Sequence, residues 1–325
     1  MIDLERVAEA FGLVAPVGPA EPVRSRGQVQ AWKVGTGAGP VLLKRFWAET
    51  ELPWRDQLET AMELEALAVR AGIDTPAPVR PVRAWFGSVV RLDGIGLLRA
   101  FPYVEHRPLA DRDDVADWLG GTLARIHGQR RLDFVPEPNW WYGQEPPVPP
   151  GAWRGWLAEG EDRGASWAPV LRRRLDLVLE LADRVVRTFA ATGPYVLSHR
   201  DVEPWNVLIT ESGPILIDWD TVGPESAPLE AAAVFVRFAA RAGADPDLDQ
   251  LRRSKAAYLA AGGEPLPVRA GILDRLIGYE LSKIATALGR FFDESDDDDR
   301  IRDRLDRLPA TVETVRRWER ILARA

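Results

Sequence analysis

The chain has no cysteine, only three histidines, and only four lysines among its 42 basic residues. Without thiols there can be no disulfide, thiol nucleophile, zinc ribbon or iron–sulfur cluster, and His106, His127 and His199 are too dispersed for a His-rich metal site. Any metal should therefore be a hard ion bound by oxygen. Arginine carries most of the positive charge, so a lysine where chemistry needs one stands out. No apolar run approaches the roughly 18 residues that a membrane span requires. The opening stretch, MIDLERVAEAFGLV, reads as an amphipathic helix without the basic and apolar blocks of a signal peptide. A soluble, cytoplasmic protein is expected. The net charge of -7 argues against a nucleic-acid partner, since phosphate binding wants a basic face.

What is present suggests two parts. A length of 325 residues exceeds what one core usually supports, and 46% hydrophobic residues can bury substantial cores. Strands are expected over 29–34 and 40–46, joined by the Gly-rich turn 35–39, with a helix over 56–71 ended by Gly72. A hairpin over 88–92 and 95–101 turns at Asp93-Gly94. The first hundred residues thus read as an α+β lobe. From Asp111 the pattern is mostly helical, over 111–128, 151–162, 168–191, 226–242, 248–261, 268–292 and 301–323. The exception is a second hairpin, 207–210 and 215–218, around Ser212-Gly213-Pro214. Six of the fifteen residues 136–150 are proline, which with Trp140, Trp141 and Tyr142 makes an irregular loop.

The most informative stretch is His199-Arg200-Asp201-Val202-Glu203-Pro204-Trp205-Asn206, followed by Ile215-Leu216-Ile217-Asp218-Trp219-Asp220. An Asp, an Asn five residues later and an Asp seventeen residues after the first supply the oxygen ligands and the base that phosphoryl transfer uses. The hairpin brings Asn206 and Asp218 to one end, where they can hold Mg²⁺, an ion that prefers a few protein oxygens plus substrate phosphates. Asp201, on the loop before the hairpin, would accept or orient the proton of an attacking hydroxyl.

This segment resembles the catalytic and metal-binding loops of the aminoglycoside phosphotransferase and choline kinase group, relatives of the protein kinases. The similarity extends to the order of the lobes from about residue 20 to 325. It implies an α+β, two-lobed, protein-kinase-like fold: a small β-rich N-lobe over 1–99, a hinge over 100–106 and a larger, mostly helical C-lobe over 107–325. It implies Asp201 as the catalytic residue and Asn206 and Asp218 as metal ligands. Arg200 stands where the antibiotic kinases usually have Gly, Trp205 where they have a small residue, and Glu203 where Ser/Thr protein kinases carry a Lys. There is no DFG or APE segment, which argues against a protein substrate.

A kinase-like site also needs a cation on the phosphates. Lys44, on the strand Val41-Leu42-Leu43-Lys44-Arg45-Phe46, is well placed for it. On the following helix Leu58, Met62, Glu65 and Val69 share one face, whereas Glu63 lies with Glu59 and Arg70 on a polar one. A carboxylate in an apolar stripe needs a partner, so Glu65 rather than Glu63 is expected to pair with Lys44. The Gly-rich string 35–39 reads only as the turn into this strand. A phosphate flap would lie one hairpin earlier, in Arg24-Ser25-Arg26-Gly27-Gln28, where Ser25 and backbone N–H groups can cap phosphates; a plain loop fits equally.

By the same resemblance, Leu98-Arg99-Ala100-Phe101-Pro102-Tyr103-Val104-Glu105 is the hinge that reads adenine. Pro102 would offer a carbonyl, and Val104 an N–H and a carbonyl. His199 is expected to brace the catalytic loop and His127 to cap its helix. The resemblance implies ATP, with GTP as an alternative, together with Mg²⁺, and a small hydroxylated, cationic acceptor such as an aminoglycoside. Choline, homoserine or sugar-type acceptors remain open, as does an inactive nucleotide-binding regulator. The acidic run 293–299 is a solvated loop or an attractor for a polycationic substrate. No obligate protein partner is called for.

Overall fold

The computed structural model describes residues 3–23, 30–46, 52–138, 147–240, 244–294 and 298–325. The chain divides into two compact units, residues 1–110 with 205–222, and residues 111–204 with 223–325. Elements are numbered in chain order.

The first unit opens with α1 (Leu4–Phe11), whose N-cap Asp3 accepts from the Arg6 N–H and which Gly12 ends at φ 64°. One face of α1, Val7, Ala10 and Phe11, joins a core with Val34, Val41, Leu43, Leu98 and Ala100. Those sheet residues belong to an antiparallel sheet in the order β1 (Ala20–Val23), β2 (Gln30–Val34), β3 (Val41–Phe46), β5 (Gly96–Pro102) and β4 (Val90–Leu92). Pro22 is tolerated because β1 is an edge strand. Between β4 and β5, Gly94 takes φ 78°, as the Asp-Gly turn requires. The helix α2 (Leu52–Arg70) follows β3. Farther along, β6 (Arg107–Pro108) pairs with β9 (Val207–Thr210), which pairs with β10 (Gly213–Leu216).

In the second unit α3 (Ala116–His127), β7 (Arg131–Leu132), α4 (Pro150–Asp162), α5 (Ala168–Ala190), β8 (Tyr195–Ser198) and β11 (Gly223–Ser226) precede α6 (Ala227–Ala239), α7 (Leu248–Ala260), α8 (Asp274–Glu294) and α9 (Asp298–Leu322). Here β8 is the middle strand between β11 and β7. Helix α6 is buried on almost every side, as its continuous apolar run demands. Its start is fixed by Ser226, whose Oγ accepts the Leu229 N–H.

The architecture is α+β, a β-rich N-terminal part and a mostly helical C-terminal part, as expected. The partition differs from the expected boundaries. The stretch 100–106 falls wholly inside the first unit, and the hairpin 205–222 is grouped with that unit rather than with the helical part. The physical reasons are local: β9 borrows β6 as a sheet partner, and the segment after β10 is tied to β3 by ion pairs.

Candidate functional site

In the first unit, strand alternation sends Val41 and Leu43 into the core and Leu42 and Lys44 to the opposite face. The register of β3 against β5 places Arg99 directly across from Lys44, so two cations share that face. Helix α2 supplies Glu65, which is 2% exposed, in keeping with its place in the apolar stripe, whereas Glu63 is exposed.

The expected Lys44–Glu65 pair does not form. Glu65 is instead paired with Arg99. Arg99 also donates from Nε to Ser88 Oγ at 2.9 Å, and its Nη1 lies 3.5 Å from Asp220 Oδ1. The reason is chemical: a guanidinium presents a fork of donors that a buried position can satisfy all round, and an ammonium does not. Burial pushes the Glu65 carboxyl up, and the charge and hydrogen bond of Arg99 pull against it.

Lys44 turns to the other carboxylates, with Asp218 Oδ1 at 2.5 Å and Asp220 as its second partner. Burial alone would lower its pKa, but the charges of Asp220 and Asp218 outweigh it and hold the ammonium above its usual range. Lys44 is therefore a fixed cation.

Asn206 precedes β9 and Asp218 lies two residues beyond β10. With Val207 opposite Leu216 and the Ile217 N–H donating to the Asn206 carbonyl at 2.9 Å, both side chains sit at one end of the hairpin. Asp218 adopts a left-handed conformation, φ 70° and ψ 63°. That costs on the order of 1–2 kcal/mol for a residue with a Cβ. Trp219 holds it there, 2% exposed with its Nε1 donating to Thr75 Oγ1 at 3.0 Å, and Gln57 Nε2 reaches the Asp220 carbonyl at 3.2 Å. Trp219 is thus a packing plug. Among the described residues no three His, Asp or Glu converge as a ready-made metal cage. An amide oxygen and a partly exposed carboxylate at one strand end suit a hard ion that takes its remaining ligands from phosphates.

Pro102 ends β5 opposite Val41, and Tyr103 donates its N–H to the Pro40 carbonyl at 2.9 Å. The Val104 carbonyl accepts from His106 Nδ1 at 2.7 Å. The turn 35–39 joins β2 to β3. Ser25 lies outside the described residues, as do Trp140, Trp141 and Tyr142.

The second unit holds the catalytic-loop candidate. After β8 the chain leaves the sheet at fully buried His199, whose Nδ1 accepts the Asp201 N–H at 3.3 Å, the bracing role expected of it. Arg200 takes φ 67°, a left-handed conformation that Gly adopts without strain. Its backbone is clamped on both sides. The N–H donates to Glu230 Oε1 at 3.0 Å, and the carbonyl accepts from Arg275 Nη2 at 2.5 Å, Arg275 being paired with Glu225 at 3.1 Å. Glu203 is buried and paired with Arg237 of α6; burial raises its pKa and Arg237 opposes the rise. His127 does not cap its own helix. It is buried between Tyr258, 2.8 Å from Nδ1, and Glu230, 2.9 Å from Nε2, because the last turn of α3 faces α6 and α7. Of the acidic run, Asp298 accepts the Ser166 N–H at 2.9 Å and begins α9, while the side chains of 293–297 lie outside the described residues.

The first unit therefore brings together Lys44, Asn206 and Asp218, with Glu65 connected to Lys44 through two intermediates, Arg99 and Asp220. Asp201 stands in the second unit on a loop held by His199, Glu230 and Arg275. Arg99 and Asp220 were missed from sequence. Asp220 was visible as the second acid of Asp218-Trp219-Asp220, whereas Arg99 acquires its meaning only from the register of β3 and β5.

A model of the phosphotransferase enzyme family matches residues 20–268, and the chain belongs to that family. It is thus a small-molecule phosphotransferase, a kinase with an alcohol group as acceptor. No curated protein matches the chain. Among solved structures it is similar to amicoumacin kinase in complex with AMP-PNP, Ca²⁺ and Ami (15% identity, TM-score 0.62, 97% of this chain and 92% of that one). It is also similar to choline kinase from Cryptosporidium parvum Iowa II (12% identity, TM-score 0.60, 97% of both chains). Spectinomycin phosphotransferase with ADP and spectinomycin shares 13% identity at a TM-score of 0.59, over 97% of this chain and 92% of that one. At these identities the likeness is one of fold.

Proposed function

We propose that the protein transfers the γ-phosphate of ATP, with GTP the alternative donor, to a hydroxyl of a small, aminated hydroxy compound of the aminoglycoside type, and that it does so in the cytoplasm. The observation that carries this reading is the meeting of Lys44 with Asp218 beside Asn206. Lys44 is paired with Asp218, and the hairpin register sets Asn206 and Asp218 at the same end; a cation beside an amide oxygen and a carboxylate supports phosphate and metal binding there.

Lys44 binds and orients the phosphates, and Pro102 and Val104 offer backbone groups to the base, with Ser25 available to the phosphates from its flap. Asn206 and Asp218 hold Mg²⁺, which when bound neutralises charge on the phosphate oxygens. Asp201, braced by His199 and the clamped Arg200 backbone, receives or orients the proton of the attacking hydroxyl. Catalysis is mostly positioning and charge neutralisation. The net charge of -7 favours a cationic acceptor, and a kinase of choline, homoserine or a sugar uses the same machinery.

The test is transfer of labelled terminal phosphate from Mg·ATP across a panel of hydroxylated amines, antibiotics and sugars. Labelled product is expected with at least one aminated acceptor. Tight nucleotide binding without transfer to any acceptor contradicts the reading and favours an inactive nucleotide-binding regulator.

A further inference from the structure

Two cations stand side by side where a phosphate site needs one. Like charges directly opposite on neighbouring strands destabilise a sheet, so Lys44 and Arg99 persist only because carboxylates answer them. The answer is ordered. Glu65, 2% exposed, goes to Arg99; Asp218, 44% exposed, goes to Lys44; and Asp220, 23% exposed, touches both. The chain Glu65–Arg99–Asp220–Lys44–Asp218 runs from buried side chains to a partly exposed one.

Had Lys44 been paired with Glu65 alone, moving the ammonium toward a phosphate would leave a buried carboxylate without a partner, a costly state. Arg99 removes that cost by holding Glu65 permanently. It also aims Asp220, whose backbone is pinned by Gln57, so that Lys44 keeps one anchored carboxylate when Asp218 turns to other work. We propose that Arg99 is a positioning residue for Lys44: it discharges Glu65 and, through Asp220, sets where the phosphate-binding ammonium stands. The inference rests on the kinase reading given above.

A purely structural role predicts something different, and the two can be separated. The comparison uses the full-length wild type, Arg99→Met, Arg99→Lys and the double variant Glu65→Met with Arg99→Met. Thermal unfolding is measured, together with affinity for a fluorescent ATP analogue, without divalent ion and with Mg²⁺. Arg99→Met should lose both stability and affinity, because it strands Glu65. The double variant replaces a buried ion pair by apolar groups of similar size, a change that is often neutral or stabilising, so its unfolding midpoint should return toward that of the wild type. Its nucleotide affinity should remain about tenfold or more below wild type, in both the absence and the presence of Mg²⁺. Arg99→Lys keeps the charge but loses the fork, and should show the same loss of affinity with smaller loss of stability. Wild-type affinity in either Arg99→Lys or the double variant overturns the inference alone. A wild type that binds no nucleotide overturns the kinase reading and this inference with it.

Discussion

Lys44 and Asp218 hold each other at 2.5 Å, and the proposed reaction asks both to do something else. The contact parks a cation and an anion on one another at low cost, since Asp218 is partly exposed and water can replace either partner. Asp218 pays for its place with a left-handed backbone, kept there by the buried Trp219 beside it. Such strain at a functional residue is held by its surroundings, here by Thr75 and Gln57. Asp218→Asn keeps the shape and removes the charge. It should raise the Mg²⁺ concentration for half-maximal transfer by about tenfold or more, roughly the worth of one charge-assisted contact. A metal titration of the initial rate measures this, and an unchanged half-maximal concentration would contradict the assignment of Asp218 as a ligand.

At the level of elements, the second unit relies on close helix contacts. Gly120 of α3 lies so near α7 that a Cβ would meet the Ser254 carbonyl at 2.2 Å and the Tyr258 nitrogen at 2.8 Å. Gly120→Ala should therefore lower stability by about 1–3 kcal/mol despite the better helix propensity of Ala, because the two helices must separate. Denaturant unfolding measures it, and a stabilised variant would refute the packing.

The long helices were legible because their apolar periodicity persists over several turns. The short strand β11 was not. Gly223-Pro224-Glu225-Ser226 contains residues depleted from strands, and only pairing with β8 makes it one. The hairpin carrying Asn206 and Asp218 was readable from its turn, although β10 stops at Leu216 and Asp218 lies past it. Glu65 was correctly judged buried from its helix face. Its partner was misjudged because Arg99 comes opposite Lys44 only through strand register, which couples positions 55 residues apart and has no local signal.

For the molecule as a whole, the buried charges of the second unit predict an acid-side weakness. Burial pushes the Glu230 carboxyl up, but the hydrogen bond and charge of His127 and the charge of Arg275 outweigh it and hold the group down to about 2, against an ordinary 4.5. A carboxyl depressed in the folded state contributes stability above its unfolded value. That contribution is lost as the pH falls from about 4.5 toward about 2. Thermal unfolding followed over this window should show the wild type losing stability more steeply than Glu230→Gln. Parallel curves would contradict the assignment.

No described helix is long and apolar enough to cross a membrane. Residues 20–268 match the phosphotransferase enzyme family. The central claim is that this scaffold transfers a phosphoryl group to a hydroxyl whose proton Asp201 receives or orients. The most direct measurement is the rate of phosphoryl transfer by Asp201→Asn beside its affinity for the nucleotide, with the wild type as reference and one accepted hydroxyl compound. The account predicts a fall in turnover of about a thousandfold or more, the upper part of what a positioned acid–base group supplies, with nucleotide affinity unchanged within about twofold. Turnover like that of the wild type in Asp201→Asn would contradict it.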